Sequence, residues 1–208
     1  MIVKKSNQTD PQETLLQLGA DVRSLRKAQQ MTLADLAEAS NKSVSFLSKI
    51  ERGLARPSVT ALQEIAEALG VPAGWFFDSD GPVSANERPY VVRADRRRKL
   101  SFSNLSDTSY MGLEDHLLSA SLDGNLALGI STYQPGGHSG DDLSTHDGEE
   151  AGLILKGTIR LTIDGETFDL KTGDSFSFSG AIPHRYENVG ADTAQIVWAN
   201  TPITLRRL

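Results

Sequence analysis

The chain has 208 residues, is 38% hydrophobic, and carries 21 Lys+Arg against 27 Asp+Glu with no cysteine. That apolar fraction supports compact cores and the length accommodates two small domains, while the missing cysteines exclude a disulfide framework, a thiolate metal site and a cysteine nucleophile. The start, MIVKKSNQTDPQ, lacks the apolar run of a signal peptide, and no stretch approaches the ~20 apolar residues that span a bilayer. A cytoplasmic protein without a membrane partner is therefore expected. The net charge of −6 hides a split. Residues 1–100 carry 15 basic and 12 acidic side chains, or +3, and residues 101–208 carry 6 and 15, or −9. The acidic half is a poor surface for nucleic acid.

In chain order, residues 1–12 read as a loose tail. Glu13 to Gln30 then has Leu15, Leu16, Leu18, Val22 and Leu25 at helical spacing. Thr32 and Asp35 form a capping-box pattern ahead of Leu33, Leu36 and Ala37, which share one face. Asn41 lies in a turn and tolerates a left-handed conformation. Ser43 caps a second short helix whose buried side is Leu47 and Ile50, and Gly53 stops it. The outer side of that helix shows Val44, Ser45, Phe46, Ser48, Lys49 and Arg52. Small hydroxyls and cations on such a helix suit the major groove of DNA. A further helix is expected from Ser58 to Leu69, after Pro57, with Trp75-Phe76-Phe77 closing the bundle.

Residues 15–78 resemble the phage-repressor (Cro/C1) type of helix-turn-helix domain. The resemblance implies a five-helix DNA-binding bundle over residues 13–79, with Leu33–Arg52 as the two-helix motif. Lys42 stands where an apolar residue is more usual; its stem can pack while its ammonium reaches a phosphate. On this reading Ser45 and Lys49 reach base edges, with Ser43, Phe46 and Arg52 beside them and Val44 and Ser48 on the same face. Phosphate contacts fall to Arg23, Thr32, Lys42 and Arg56, and Leu33 completes the motif. Such heads usually read paired half-sites, so a homodimer on a double-stranded operator is expected.

Residues 80–100 read as a linker. Its basic run, Arg93–Lys99, is either a phosphate-touching arm or a salt-bridged surface. From residue 101 the periodicity becomes that of short strands: Ala127–Tyr133, Leu153–Lys156 paired with Thr158–Ile163, Glu166–Leu170 after an Asp164-Gly165 hairpin turn, Ser175–Ser179, Arg185–Asn188, Ala194–Ala199 and Ile203–Arg206. They argue for an antiparallel barrel or sandwich, and the one expected is a barrel of double-sheet jelly-roll type. The fold class expected for the whole chain is multidomain, α plus all-β.

His146, Glu150 and His184 can converge inside such a barrel as ligands for a divalent metal. Asp147-Gly148 either continues the strand or turns it. The segments STHDGEEAGLILKG and GDSFSFSGAIPHRYEN resemble the two motifs of the cupin superfamily, with the core over 125–202. That resemblance implies a double-stranded β-helix over 101–208. His146, Glu150 and His184 match three of its usual four metal ligands, while Ser144 replaces the first histidine. Ser179 and Ala181 replace a usual proline and glycine. A metal-free organic-ligand site, a metal site and a structural relic all stay open, and no cofactor is assigned.

A repressor-type head before a small cupin resembles a one-component regulator, most closely the putrescine-utilisation repressor type. The resemblance implies a repressor whose cupin senses a polyamine or related amine or amino-acid metabolite. For a diamine, Glu150 suits one ammonium, with Glu149, Asp147, Glu114 and Asp115 as weaker sites for the other. Tyr133, Tyr186 and Trp198 are candidate cation–π walls, and Ser144 joins the expected ligand-binding set. The rivals are a metal sensor and a metal-dependent cupin enzyme fused to a DNA-binding head. Ser144 weakens the enzyme reading, and no catalytic residue is assigned.

Overall fold

The computed structural model describes residues 10–76, 87, 90–100 and 112–203. The chain divides between Leu69 and Gly70 into two compact units.

The first unit holds four α-helices: α1 (Pro11–Ala28), α2 (Leu33–Ala39), α3 (Val44–Glu51) and α4 (Val59–Ala68). Helix α1 starts earlier than the apolar spacing suggests, so Pro11 and Gln12 do not belong to a loose tail. Asp10 caps it by accepting from the Gln12 amide at 2.9 Å, and Pro11 occupies the first turn, where its missing N–H costs nothing. Thr32 and Asp35 form the reciprocal capping box, at 2.7 and 3.1 Å. Ser43 accepts from the Phe46 amide at 3.2 Å, and Asn41 sits at φ 52° in the turn. Val22, Leu25, Leu36, Leu47, Ile50 and Ile65 form the core. Helices α1 and α3 meet backbone to backbone: a Cβ on Gly19 would lie 2.3 Å from the Ile50 carbonyl oxygen. The half-buried Arg26 guanidinium clamps the same pair, holding both Glu51 oxygens at 2.6 and 3.0 Å and the Met31 carbonyl at 2.8 Å.

The expected fifth helix is absent among the described residues. Trp75 and Phe76 are buried, but in a single 3-10 turn, Ala73–Phe76, that opens the second unit between Pro72 and the described limit. Phe77 and linker residues 80–86 lie outside the described residues. The basic run is not a free arm. It holds a 3-10 turn (Ala94–Arg96) and then β1 (Arg98–Leu100), with Arg93 on Glu87, Arg98 4.3 Å from the Trp75 ring and Lys99 2.5 Å from Glu114.

The second unit continues with β2 (Leu113–Leu117), β3 (Ala127–Tyr133), β4 (Glu149–Lys156), β5 (Thr158–Ile163), β6 (Glu166–Lys171), β7 (Ser175–Ser179), β8 (His184–Asn188) and β9 (Ala194–Thr201). They form two antiparallel sheets, β1-β2-β3-β9-β4-β7 and β6-β5-β8, facing each other across one core. This corrects the expected barrel: among the described residues no ladder joins the two sheets, and isolated bridges, His138 to Glu187 and Ser144 to His184, tie the connection between β3 and β4 to β8. It also corrects one pairing. Strand β4 pairs with β7 and β9, and β5 with β6 and β8, because at Gly157 (φ 79°) the chain crosses from one sheet to the other. The Asp164-Gly165 hairpin forms as expected, both residues at positive φ (50° and 79°), as a two-residue turn of the primed type requires. Ile203 is buried outside any strand, and residues 204–206 of the expected last strand lie outside the described residues.

Candidate nucleic-acid interface and buried histidine cluster

Helix α3 buries Leu47 and Ile50 and turns the rest outward. Ser43, Val44, Ser45, Lys49 and Arg52 are exposed, while Phe46 and Ser48 are half-buried. Arg52 is steadied by its Nε donating to the Ser48 carbonyl at 3.0 Å. Around this face Arg23, Thr32 and Arg56 are exposed and Leu33 is half-buried. Lys42 differs from expectation. Its ammonium lies 2.5 Å from Glu64 on α4, so a phosphate has to compete with an ion pair already formed. Lys42 itself is half-buried, in the connection between α2 and α3.

In the second unit the chain bends at Asp147-Gly148 (φ 86° at Gly148) before β4 starts at Glu149. The bend brings His146 back onto Glu150. His146 Nε2 lies 2.8 Å and His184 Nε2 3.6 Å from Glu150 Oε2, while the Tyr186 hydroxyl donates to Oε1 at 2.8 Å. His184, Tyr186 and Glu150 converge because residues two apart on β8 share the inward face, as Glu150 does on β4. The histidine rings are edge to face, their centroids 5.4 Å apart.

Proton placement follows from the partners. His146 Nδ1 sits 2.9 Å from the Asp147 carbonyl and His184 Nδ1 2.8 Å from the Ile182 carbonyl. Carbonyls only accept, so both Nδ1 atoms carry hydrogen, and in the neutral rings both Nε2 atoms present lone pairs. Those lone pairs meet a carboxylate oxygen. This arrangement suits a cation beside Glu150, whether an added proton on His146, a metal ion or a ligand ammonium. Backbone-anchored Nδ1–H groups are also what orients metal-binding histidines. The three donor atoms lie within 4.8 Å of one another, so the set fits a divalent ion. Burial is the strongest single influence on Glu150 and opposes its charge. The hydrogen bonds from His146 and Tyr186 and the nearby histidines nonetheless hold its carboxyl below the ordinary range.

Two aromatic walls were missed by the sequence reading. Phe176 and Phe178 on β7 stack at 5.7 Å, Phe178 lies 4.7 Å from the His184 ring, and Phe176 lies 5.4 Å from Tyr186. The strict Ser-Phe-Ser-Phe-Ser alternation was the signal, since it puts both rings on the core face. Other expected ligand residues are placed elsewhere. The Ser144 hydroxyl donates to the His184 backbone carbonyl at 3.1 Å. Glu149 is exposed, on the strand face opposite Glu150. Tyr133 is a core residue, and Trp198 lies flat on Gly129, donating its indole N–H to Ser131 Oγ at 2.9 Å. Asp115 is buried and accepts from Ser131, while Glu114 pairs with Lys99. Asp147 contributes its carbonyl to His146.

A helix-turn-helix unit with an exposed hydroxyl-and-cation face, followed by a two-sheet unit with a His–Glu–His cluster, defines a DNA-binding regulator carrying a cupin. Comparison with known families agrees: a helix-turn-helix model matches residues 22–76 and a cupin-domain model residues 129–200. HTH-type transcriptional regulator PuuR of Escherichia coli (strain K12) is 30% identical over 190 residues, covering 89% of this chain and 95% of PuuR. The chain belongs to that family of HTH-type transcriptional regulators. HTH-type transcriptional regulator SutR of the same organism is 28% identical over 177 residues, covering 85% of this chain and 89% of SutR. Among solved structures, an HTH_3 family transcriptional regulator from Vibrio cholerae aligns over 92% of this chain and 98% of its own, at 20% identity and TM-score 0.42. No helix of the described residues is long and apolar enough to cross a membrane.

Proposed function

We propose that this protein is a cytoplasmic repressor that binds a roughly palindromic operator as a homodimer and is regulated by a small cation bound in its cupin unit. Residues 13–79 form the DNA-reading head, 80–100 the connection and 101–208 the sensor. The observation that carries the DNA-binding reading is the outer face of α3: exposed Ser43, Ser45, Lys49 and Arg52 on a helix anchored by Leu47 and Ile50. Ser45 and Lys49 read base edges, with Val44, Phe46 and Ser48 flanking them. Arg23, Thr32, Arg52 and Arg56 hold phosphates, and Lys42 braces the turn against α4.

The effector best supported is an amine of polyamine type. A primary ammonium has three N–H donors and no acceptor. The cluster offers three converging acceptors, Glu150 Oε2 and the two Nε2 atoms, beside the apolar faces of Phe176, Phe178 and Tyr186. The ammonium displaces the direct His146–Glu150 contact, and the aromatic walls take the methylene stem. By linkage the amine shifts DNA affinity only as far as it binds the free and DNA-bound forms differently. The same three lone pairs support a second reading, a divalent-metal sensor, in which His146, Glu150 and His184 hold the ion and leave coordination positions open. Neither reading needs turnover, and no catalytic role is assigned.

The test is operator titration, on DNA selected from a random pool, with chelator-treated protein and a panel of diamines, polyamines, amino acids and divalent metals. An affinity change with an amine that survives chelator supports the amine sensor. A change that appears only with metal replaces it by the metal sensor. No sequence preference in the selected DNA overturns the regulator reading.

A further inference from the structure

We propose that Arg98 and Trp75 form a latch through which the state of the cupin unit reaches the DNA-reading head, and the reverse. The inference rests on the effector-regulated reading above and gives that regulation a location. Both residues belong to the second unit. Trp75 is buried, at 1% exposure, with the Arg98 guanidinium 4.3 Å from its ring and Phe76 edge to face at 5.4 Å. A cation is attracted to the electron-rich face of an indole, more strongly where water is excluded. The contact joins the 3-10 turn that follows α4 to β1, the first strand of the large sheet.

Toward the head the connection is short and stiff. Leu69 caps α4, and its carbonyl accepts from the side chain of Gln29, the residue that caps α1. Gly70 (φ 63°) ends the helix, Pro72 has a fixed φ, and the Trp75 amide donates back to the Pro72 carbonyl at 2.9 Å. The indole is therefore only six residues past Leu69, with little slack to absorb a displacement. Toward the sensor, β1 pairs with β2, which carries Asp115. Asp115 accepts from Ser131 on β3, and Ser131 accepts from the Trp198 indole on β9 at 2.9 Å. Trp198 is the register partner of Gly152 and lies two residues from Asn200, the register partner of Glu150. Side-chain hydrogen bonds thus cross the sheet from the strand beside Glu150 to the strand that pairs with β1.

The ring's seat is also one that can be exchanged. Among the described residues the buried Trp75 indole N–H has no acceptor. A buried donor left unpaired carries its full desolvation penalty, so the ring is held less firmly than its depth implies. A switching element needs that balance, because a ligand moves it only by the difference in its affinity for the two states.

Arg98→Gln removes the charge at similar reach, and Arg98→Lys restores it. Operator affinity is measured on the full-length protein with and without putrescine, spermidine and Zn²⁺ as probes. In wild type an active probe should change it by a coupling factor of about 5–150-fold. In Arg98→Gln that factor should fall to within about twofold, with probe affinity and probe-free operator affinity each unchanged within about twofold, and Arg98→Lys should recover part of it. A second readout needs no effector. Trp198→Phe leaves Trp75 as the only tryptophan, and its emission and acrylamide quenching should change when operator binds, but not in the Arg98→Gln background. The difference between wild type and Trp75→Phe gives the same signal if Trp198→Phe misfolds. Full coupling in Arg98→Gln, or a Trp75 signal blind to operator, overturns the proposal. Failure of the effector reading looks different: no probe changes wild-type operator affinity, and the response of Trp75 to DNA then decides the latch alone.

Discussion

Lys49 is exposed one turn beyond Ser45 on α3, with Leu47 and Ile50 fixing the helix beneath it. A base-edge contact there carries sequence information, whereas a phosphate contact does not. Lys49→Ala is therefore expected to relax preference at one position per half-site by about 1–3 kcal/mol, read by binding to a set of single-base operator variants. Uniform weakening across all variants reassigns Lys49 to a phosphate. Glu150 is the corresponding residue of the sensor. Glu150→Gln keeps an oxygen for the Tyr186 hydroxyl but removes the charge that answers the two histidines. It should abolish the effector's influence on operator affinity while leaving unliganded binding within about twofold, measured by fluorescence anisotropy. The pH dependence has a definite sign. The folded protein holds the Glu150 carboxyl below its ordinary value, so its contribution is complete above the unfolded carboxylate range near ~4.3 and is lost as pH falls through the lower folded value. Melting followed from pH 7 to 3 should show wild type losing its stability advantage over Glu150→Gln only in that acid window.

At the scale of elements, local signals and long-range contacts had different visibility. The capping box, the Asn41 turn, the Ser43 cap and the Asp164-Gly165 hairpin are set by neighbours within four residues, and each forms as its residues imply. Thr32→Ala should cost about 1 kcal/mol through the lost cap, seen as a drop of a few degrees in the melting of the first unit. Pairing across the chain is different. Nothing in the strand pattern shows that β4 and β5, one glycine apart, enter different sheets, because alternation fixes faces and not partners. The Gly19 contact is likewise invisible in α1 alone, where a glycine looks like a weak point. In the fold it admits the α3 backbone, so Gly19→Ala, a better helix former, should still destabilise by about 1–3 kcal/mol by pushing α1 off Ile50, measured by chemical denaturation.

At the scale of the whole molecule, affinity for DNA depends on how many phosphates two heads neutralise. With Arg23, Arg52 and Arg56 from each copy, about six contacts give log affinity a slope of roughly −5 against log salt. A slope near half that, in a titration from low to moderate salt, is the signature of one head. What the sequence determined by itself was everything carried by short spacing: the helix-turn-helix motif, the outward residues of α3 and the change to strand periodicity, while resemblance to the cupin motifs is what singled out His146, Glu150 and His184. Periodicity and caps act within a turn or a strand, so one chain of letters displays them. Only the tertiary structure decided that Phe176 and Phe178 wall the cluster, that Ser144, Glu149 and Trp198 are occupied elsewhere, that Lys42 is held by Glu64, and that the strands make two sheets rather than a closed barrel. Those outcomes depend on which distant residues are brought within a few ångströms of each other. That is settled by packing the whole core at once and by the partner each polar atom finds there.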